Sequence, residues 1–104
     1  MKVLFICNQN ENRSKTAEEM FKQRFKTRSA GFYNEKPVTE KELNWADMII
    51  VMEEAQRTEL SKRFPSVYMK KQILSLDIPN IYRFNQPELK SILESRMSNL
   101  QIVA

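Results

Sequence analysis

The 104-residue chain contains no histidine and a single glycine, Gly31, and each scarcity excludes chemistry. Without histidine there is no Ser-His-Asp or Cys-His nucleophile system, no phosphohistidine intermediate and little basis for a zinc site. With one glycine there is neither a Walker loop nor a dinucleotide-binding fingerprint, because both need several. The only cysteine, Cys7, has no partner for an internal disulfide, which suits a reducing compartment and leads us to expect a cytoplasmic protein. The short apolar run from Met1 to Ile6 is interrupted by Asn8–Arg13, too early for a signal-peptide core or a membrane span, so no membrane partner is expected. Any catalysis must therefore draw on Cys, Arg, Asp, Glu, Lys or hydroxyl groups.

What is present suffices for one modest core. Hydrophobic residues make up 41% and charged residues 29%, so a single domain spanning 1–104 with a well-solvated surface is expected. The formal net charge of +4 favours acidic partners, but Lys and Arg are dispersed rather than clustered, and no nucleic-acid patch is indicated.

Lys2-Val3-Leu4-Phe5-Ile6 reads as a buried strand. A helix follows from Ser14, with Ala17, Met20, Phe21 and Phe25 at helical spacing. Thr27–Ala30 reads as a second strand closed by Gly31. Thr39 and Glu42 form a capping-box pattern that opens a short helix ending near Trp45. Asp47–Met52 reads as a third strand, Glu53–Phe64 as a helix stopped by Pro65, and Gln72–Leu76 as a fourth strand. A loop runs from Asp77 to Asn85. Pro87 begins a last helix that carries Leu89, Ile92, Leu93, Met97 and Leu100 on one face. This alternation predicts a three-layer α/β fold: about four parallel strands with helices on both faces. Ligands of such sheets bind beyond the C-terminal strand ends, where both Cys7 and Asp77 fall.

The segment Cys7-Asn8-Gln9-Asn10-Glu11-Asn12-Arg13-Ser14 lies between a strand and a helix N-terminus. Five residues separate Cys7 from Arg13. That spacing lets the loop curl into a cradle of backbone N–H groups, with the helix dipole behind it. Such surroundings favour the thiolate, which is the nucleophilic form of cysteine. Arg13 can grip two oxygens of an oxyanion in a fork, as lysine cannot. Cradles of this type usually contain glycine; here Asn8, Asn10 and Asn12 supply the residue type next most tolerant of positive φ. A cysteine at a strand end is also often an inert buried hydrophobe, so the spacing alone leaves both readings open.

The chain resembles the low-molecular-weight protein tyrosine phosphatases, in particular a short bacterial and archaeal branch. Val3-Leu4-Phe5-Ile6-Cys7, Asn10, Arg13-Ser14 and Thr16-Ala17-Glu18 are similar to the family's opening signature. Ser29-Ala30-Gly31, Trp45-Ala46-Asp47, Val51-Met52-Glu53, Leu76-Asp77-Ile78-Pro79, Tyr82 and Pro87-Glu88-Leu89 continue the likeness in order. The resemblance implies a hydrolase of flavodoxin-like fold, with the strand order 2-1-3-4, that needs no cofactor or metal. In it Cys7 attacks phosphorus, and Arg13 and the amides of Asn8, Gln9, Asn10, Glu11 and Asn12 hold the phosphoryl oxygens. Ser14 assists the sulfur, Asn10 holds the loop shape, and Asp77 is the general acid. Gln9 stands where the family has Gly, and Asn12 where it often has a second Cys that would shield the nucleophile through a disulfide. Ile78 separates Asp77 from Pro79, where longer members have Asp directly before Pro.

Phe32, Tyr33, Tyr82 and Phe84 flank the expected site and are candidates for the walls of an aryl slot, or for core packing. Lys15 and Arg28 are candidates for added positive field, Trp45 for the core, and Asp47 for a structural role at a strand start. The expected partners are a phosphorylated protein or a small phosphate ester, with phosphate, vanadate or sulfate as inhibitors. Two other readings stand beside this one. The loop can serve a phosphate- or phosphopeptide-binding module without turnover, or an arsenate reductase that, with one cysteine, depends on an external thiol.

Overall fold

The computed structural model describes residues 1–100. Strand β1 (Lys2–Cys7) lies inside the sheet, and its residues from Val3 onward are buried. It is followed by helix α1 (Arg13–Phe21), β2 (Lys26–Gly31), α2 (Glu40–Trp45), β3 (Met48–Val51), α3 (Glu54–Arg63), α4 (Pro65–Lys70), β4 (Gln72–Ser75) and α5 (Pro87–Ser98). The four strands are parallel in the order β2-β1-β3-β4; the alternating pattern predicts the parallel sheet, and the resemblance implies its order. The chain steps outward from β1 to β2 and then crosses to the other side of β1, so the topological switch lies at β1, whose last residue is Cys7.

The apolar residues divide between two faces. Val3, Phe5, Phe21, Met48, Ile50, Leu76, Ile78, Leu89, Leu93 and Met97 belong to one buried cluster. Leu4, Ile6, Phe32, Leu43, Ile49, Val51, Leu60 and Ile73 belong to the other. Alternate residues of β1 enter opposite clusters, as a pleated strand requires. Each fully buried Leu, Ile or Phe contributes on the order of 2 kcal/mol, so this doubly covered sheet is the platform that holds the site.

The capping box at Thr39 forms as expected: Glu42 N–H donates to Thr39 Oγ1 at 3.2 Å, and Thr39 N–H to Glu42 Oε1 at 2.9 Å. Asp47 is structural, accepting from the Lys2 N–H at 2.9 Å. Pro65 does more than stop a helix. It ends α3 because it has no N–H to continue the ladder, and as the first residue of α4 it starts another, since its fixed φ suits that position. Among the described residues no helix is long and apolar enough to cross a membrane.

Candidate active site

Cys7 ends β1 and is 3% exposed. Its Sγ lies 2.9 Å from Ser14 Oγ and accepts from the Asn10 N–H at 3.2 Å. Ser14 Oγ is also 2.7 Å from Asn10 Oδ1, to which it donates. The sulfur therefore sits under the first turn of α1, held by the loop that follows it. Asn10 makes this possible with φ of 57°, in the left-handed region. Of the three loop asparagines only this one takes that conformation. The other two act through side chains and carbonyls. Asn8 Oδ1 accepts from Gln56 Nε2 at 2.9 Å, and its carbonyl accepts from the Phe32 and Tyr33 N–H groups at 2.8 and 2.9 Å. Asn12 Oδ1 accepts from the Phe84 N–H at 3.0 Å, and its carbonyl accepts from Thr16.

Arg13, the first residue of α1, is 1% exposed. Its Nη1 donates to Glu53 Oε1 and, at 2.7 Å, to the Ile78 carbonyl. A buried guanidinium needs such partners to offset its desolvation. Here they also fix the direction in which the rest of the fork points.

Three contributors escaped the sequence reading. Gly31 pairs with Cys7 across the sheet. A Cβ there would lie 2.8 Å from Asn10 N and from Asn8 O. The one glycine of the chain is thus the surface against which the cradle closes, a close approach that only glycine permits. Gln56 is buried in the first turn of α3; its Oε1 accepts from the Met52 and Glu53 N–H groups at 2.8 and 2.9 Å while its Nε2 holds Asn8. Glu53 pairs with Arg13. The Glu53–Gln56 spacing of a capping box was a local signal for Gln56, but nothing local pointed either residue at the loop.

A small cleft of about 60 Å³ opens at the sulfur, lined by Cys7, Gln9, Glu11, Asn12, Arg13 and Asn80. A cleft of this size has room for a tetrahedral oxyanion. None of the four aromatics considered as slot walls lines this cleft, although the Tyr33 and Phe84 N–H groups bond to its loop. Phe32 is drawn into the core, and Tyr33 is exposed beside Arg63, whose guanidinium sits over both rings. Tyr82 packs against the first apolar cluster. Phe84 lines a separate depression with Glu19, Met20, Asn85 and Lys90. Arg28 stacks on Trp45, 4.2 Å from its ring centre, and Trp45 packs against the second cluster. Lys15 lines a wider depression that shares Gln9, Asn10 and Glu11 with the loop.

Asp77 also does not line the cleft. Leu76 and Ile78 on either side of it enter the core, and their N–H groups donate to the Val51 and Met52 carbonyls. Asp77 is exposed between them with φ of 58° and lines a depression with Ser75, Arg96, Asn99 and Leu100. The residue that this segment presents to the cleft is Asn80.

The chain shares the fold of the low-molecular-weight protein tyrosine phosphatases. A phosphatase of this class from T. tengcongensis superposes with a TM-score of 0.72 at 20% identity, over 94% of this chain and 93% of that one. The YwlE arginine phosphatase from Geobacillus stearothermophilus does so with a TM-score of 0.71 at 16% identity, over 93% and 90%. Vibrio vulnificus Wzb, solved with benzylphosphonate, gives 0.75 at 17% identity, over 93% and 94%. No protein-family model matches the sequence, and no curated protein is significantly similar.

Proposed function

We propose that the protein is a cysteine phosphatase that hydrolyses phosphate monoesters through a phosphocysteine at Cys7. The observation that carries this reading is the sulfur itself, bound by Ser14 Oγ and the Asn10 N–H at the floor of an oxyanion-sized cleft beside a buried arginine. Shared architecture with phosphatases, one of them solved with a phosphonate, supports it.

The roles follow from position. Cys7 attacks phosphorus in line, forming the S–P bond as the bond to the leaving oxygen breaks. Arg13 and the loop amides stabilise the charge on the equatorial oxygens. The Ser14 hydroxyl has one proton to give. It goes to Asn10 Oδ1 while Cys7 is a thiol, and to Sγ when the sulfur leaves as thiolate, with the Asn10 amide turned to donate in its place. Water then releases phosphate. A lone cysteine as nucleophile fits the cytoplasm, where it stays reduced. Protein phosphotyrosine is the substrate class that fold likeness by itself suggests, before the leaving-group side of the cleft is considered.

The test is turnover of p-nitrophenyl phosphate by wild type and Cys7→Ser, in chelator and fresh reductant, with acid quench and mass spectrometry for a phosphate on Cys7. Wild type turns over and is trapped as a phosphocysteine; Cys7→Ser does not turn over. An inactive wild type that still binds vanadate points instead to a binding module. That second reading draws on one feature: the cleft faces an amide, Asn80, from the opposing loop.

A further inference from the structure

That feature has a chemical meaning if the enzyme reading holds, and this inference rests on that reading. In-line attack places the leaving oxygen opposite Cys7 Sγ, toward the segment that faces the sulfur across the cleft. Ile78 anchors this segment, and the exposed Asn80 follows it. The Ile78 N–H bonds to the Met52 carbonyl at 2.8 Å, and the Ile78 carbonyl accepts from Arg13 at 2.7 Å. The Ile78 side chain is fully buried. Asn80, two residues on, lines the cleft, while Asp77 lines a different depression beside Arg96. An amide donates and accepts hydrogen bonds but has no titrating proton to hand to a departing oxygen. The one carboxyl lining the cleft, Glu11, belongs to the nucleophile's own loop and is exposed.

We propose that Asn80 occupies the proton-donor side of the cleft, so that the enzyme acts on phosphates whose leaving groups depart without a proton from the protein: acyl phosphates and phosphates of acidic phenols. As the S–P bond forms, the leaving group takes the electron pair of its bond to phosphorus and departs as carboxylate or phenolate. Water then attacks the phosphocysteine, its proton passes to solvent, and the thiolate returns with inorganic phosphate released. Asn80 steadies the leaving oxygen through its N–H and positions it. The phenol of tyrosine, with a pKa of about 10, lies at the slow end of such a series.

The experiment measures kcat/KM for acetyl phosphate and a graded series of aryl phosphates, from p-nitrophenyl to phenyl, with wild type, Asn80→Asp, Glu11→Gln and Asp77→Asn. A positioned acid contributes about 10²–10⁴-fold where the leaving group is poor. Wild type is therefore expected to lose at least about a hundredfold from the acidic to the tyrosine-like end. Glu11→Gln and Asp77→Asn keep that slope. Asn80→Asp raises phenyl phosphate turnover by about tenfold or more and flattens the series. A flat wild-type series overturns the inference, and a slope that steepens on Glu11→Gln or Asp77→Asn assigns the acid to that residue instead. A wild-type slope that Asn80→Asp leaves untouched overturns the placement of Asn80. All of these outcomes require Cys7-dependent turnover; if no substrate, acetyl phosphate included, is hydrolysed, it is the phosphatase reading that fails.

Discussion

The two segments that enclose the cleft are held differently. The loop from Cys7 to Ser14 carries local bonds around the sulfur, the Asn10 N–H to Cys7 Sγ, Ser14 Oγ to Asn10 and Thr16 to Asn12, beside long-range ones from Gln56, Phe32 and Tyr33 to Asn8 and from Arg13 to Glu53. The segment from Asp77 to Gln86 is fastened to the rest of the fold by distant partners: the Ile78 N–H to the Met52 carbonyl, Arg13 to the Ile78 carbonyl, the Asn85 N–H to Thr16 Oγ1 and the Phe84 N–H to Asn12 Oδ1. The bonds around the sulfur are thus in part a local device, whereas those that place Asn80 exist only once the chain has folded. Both anchor on the first turn of α1, so the loop carrying Arg13 and Ser14 also sets where Asn80 stands.

Four substitutions sharpen that contrast. The largest effect on activity is expected for Arg13→Lys, which removes the guanidinium that bonds Glu53 and the Ile78 carbonyl and that, on the proposed mechanism, grips phosphate. Turnover should fall about 10²–10³-fold, measured with p-nitrophenyl phosphate. A change below about tenfold would show that the loop amides carry the oxyanion alone.

Gly31→Ala probes the floor of the local device from across the sheet. The added Cβ meets loop backbone at 2.8 Å, so either the loop or β2 must move. Overpacking of this kind costs about 1–3 kcal/mol. We expect a lowered midpoint in urea together with weakened phosphate or vanadate binding, and unchanged binding would mean that the cradle closes without this contact.

Gln56→Ala leaves Asn8 Oδ1 and the Glu53 N–H without their partner, while the Met52 N–H keeps its bond to the Ile6 carbonyl. Unpaired buried groups cost about 1–3 kcal/mol in total here, read by denaturant unfolding, with turnover reduced less than in Gly31→Ala because a smaller side chain does not push on the loop.

The smallest effect belongs to Asp77→Asn. The residue is exposed, outside the cleft, and Asn tolerates its positive φ. Turnover and stability should stay within about twofold and about 0.5 kcal/mol of wild type. A large loss of turnover with an intact fold would bring Asp77 back as the proton donor and would break the distinction between the two segments.

The alternation of apolar strands with amphipathic helices and the Cys7–Arg13–Ser14 spacing point, without coordinates, to a parallel sheet and to the loop that joins Cys7 to Arg13 and Ser14, while the strand order 2-1-3-4 comes from the resemblance. The sheet and the loop are legible because they rest on short-range periodicity and on residues within eight positions of each other. The cap at Thr39 and the start of α5 at Pro87 are read from the sequence for the same reason. Tertiary structure alone decides the rest. Asp77 and Asn80 sit in one loop with nothing local to say which faces the sulfur; the choice falls to Leu76 and Ile78, whose burial and bonds to β3 turn Asp77 outward and leave Asn80 at the cleft. Phe32 is core rather than wall because apolar surface is buried wherever the fold allows it. Gly31 and Gln56 belong to the site only because parallel strand pairing and helix packing bring β2 and α3 against loop residues 21 to 48 positions away in sequence, a distance across which residue spacing carries no signal.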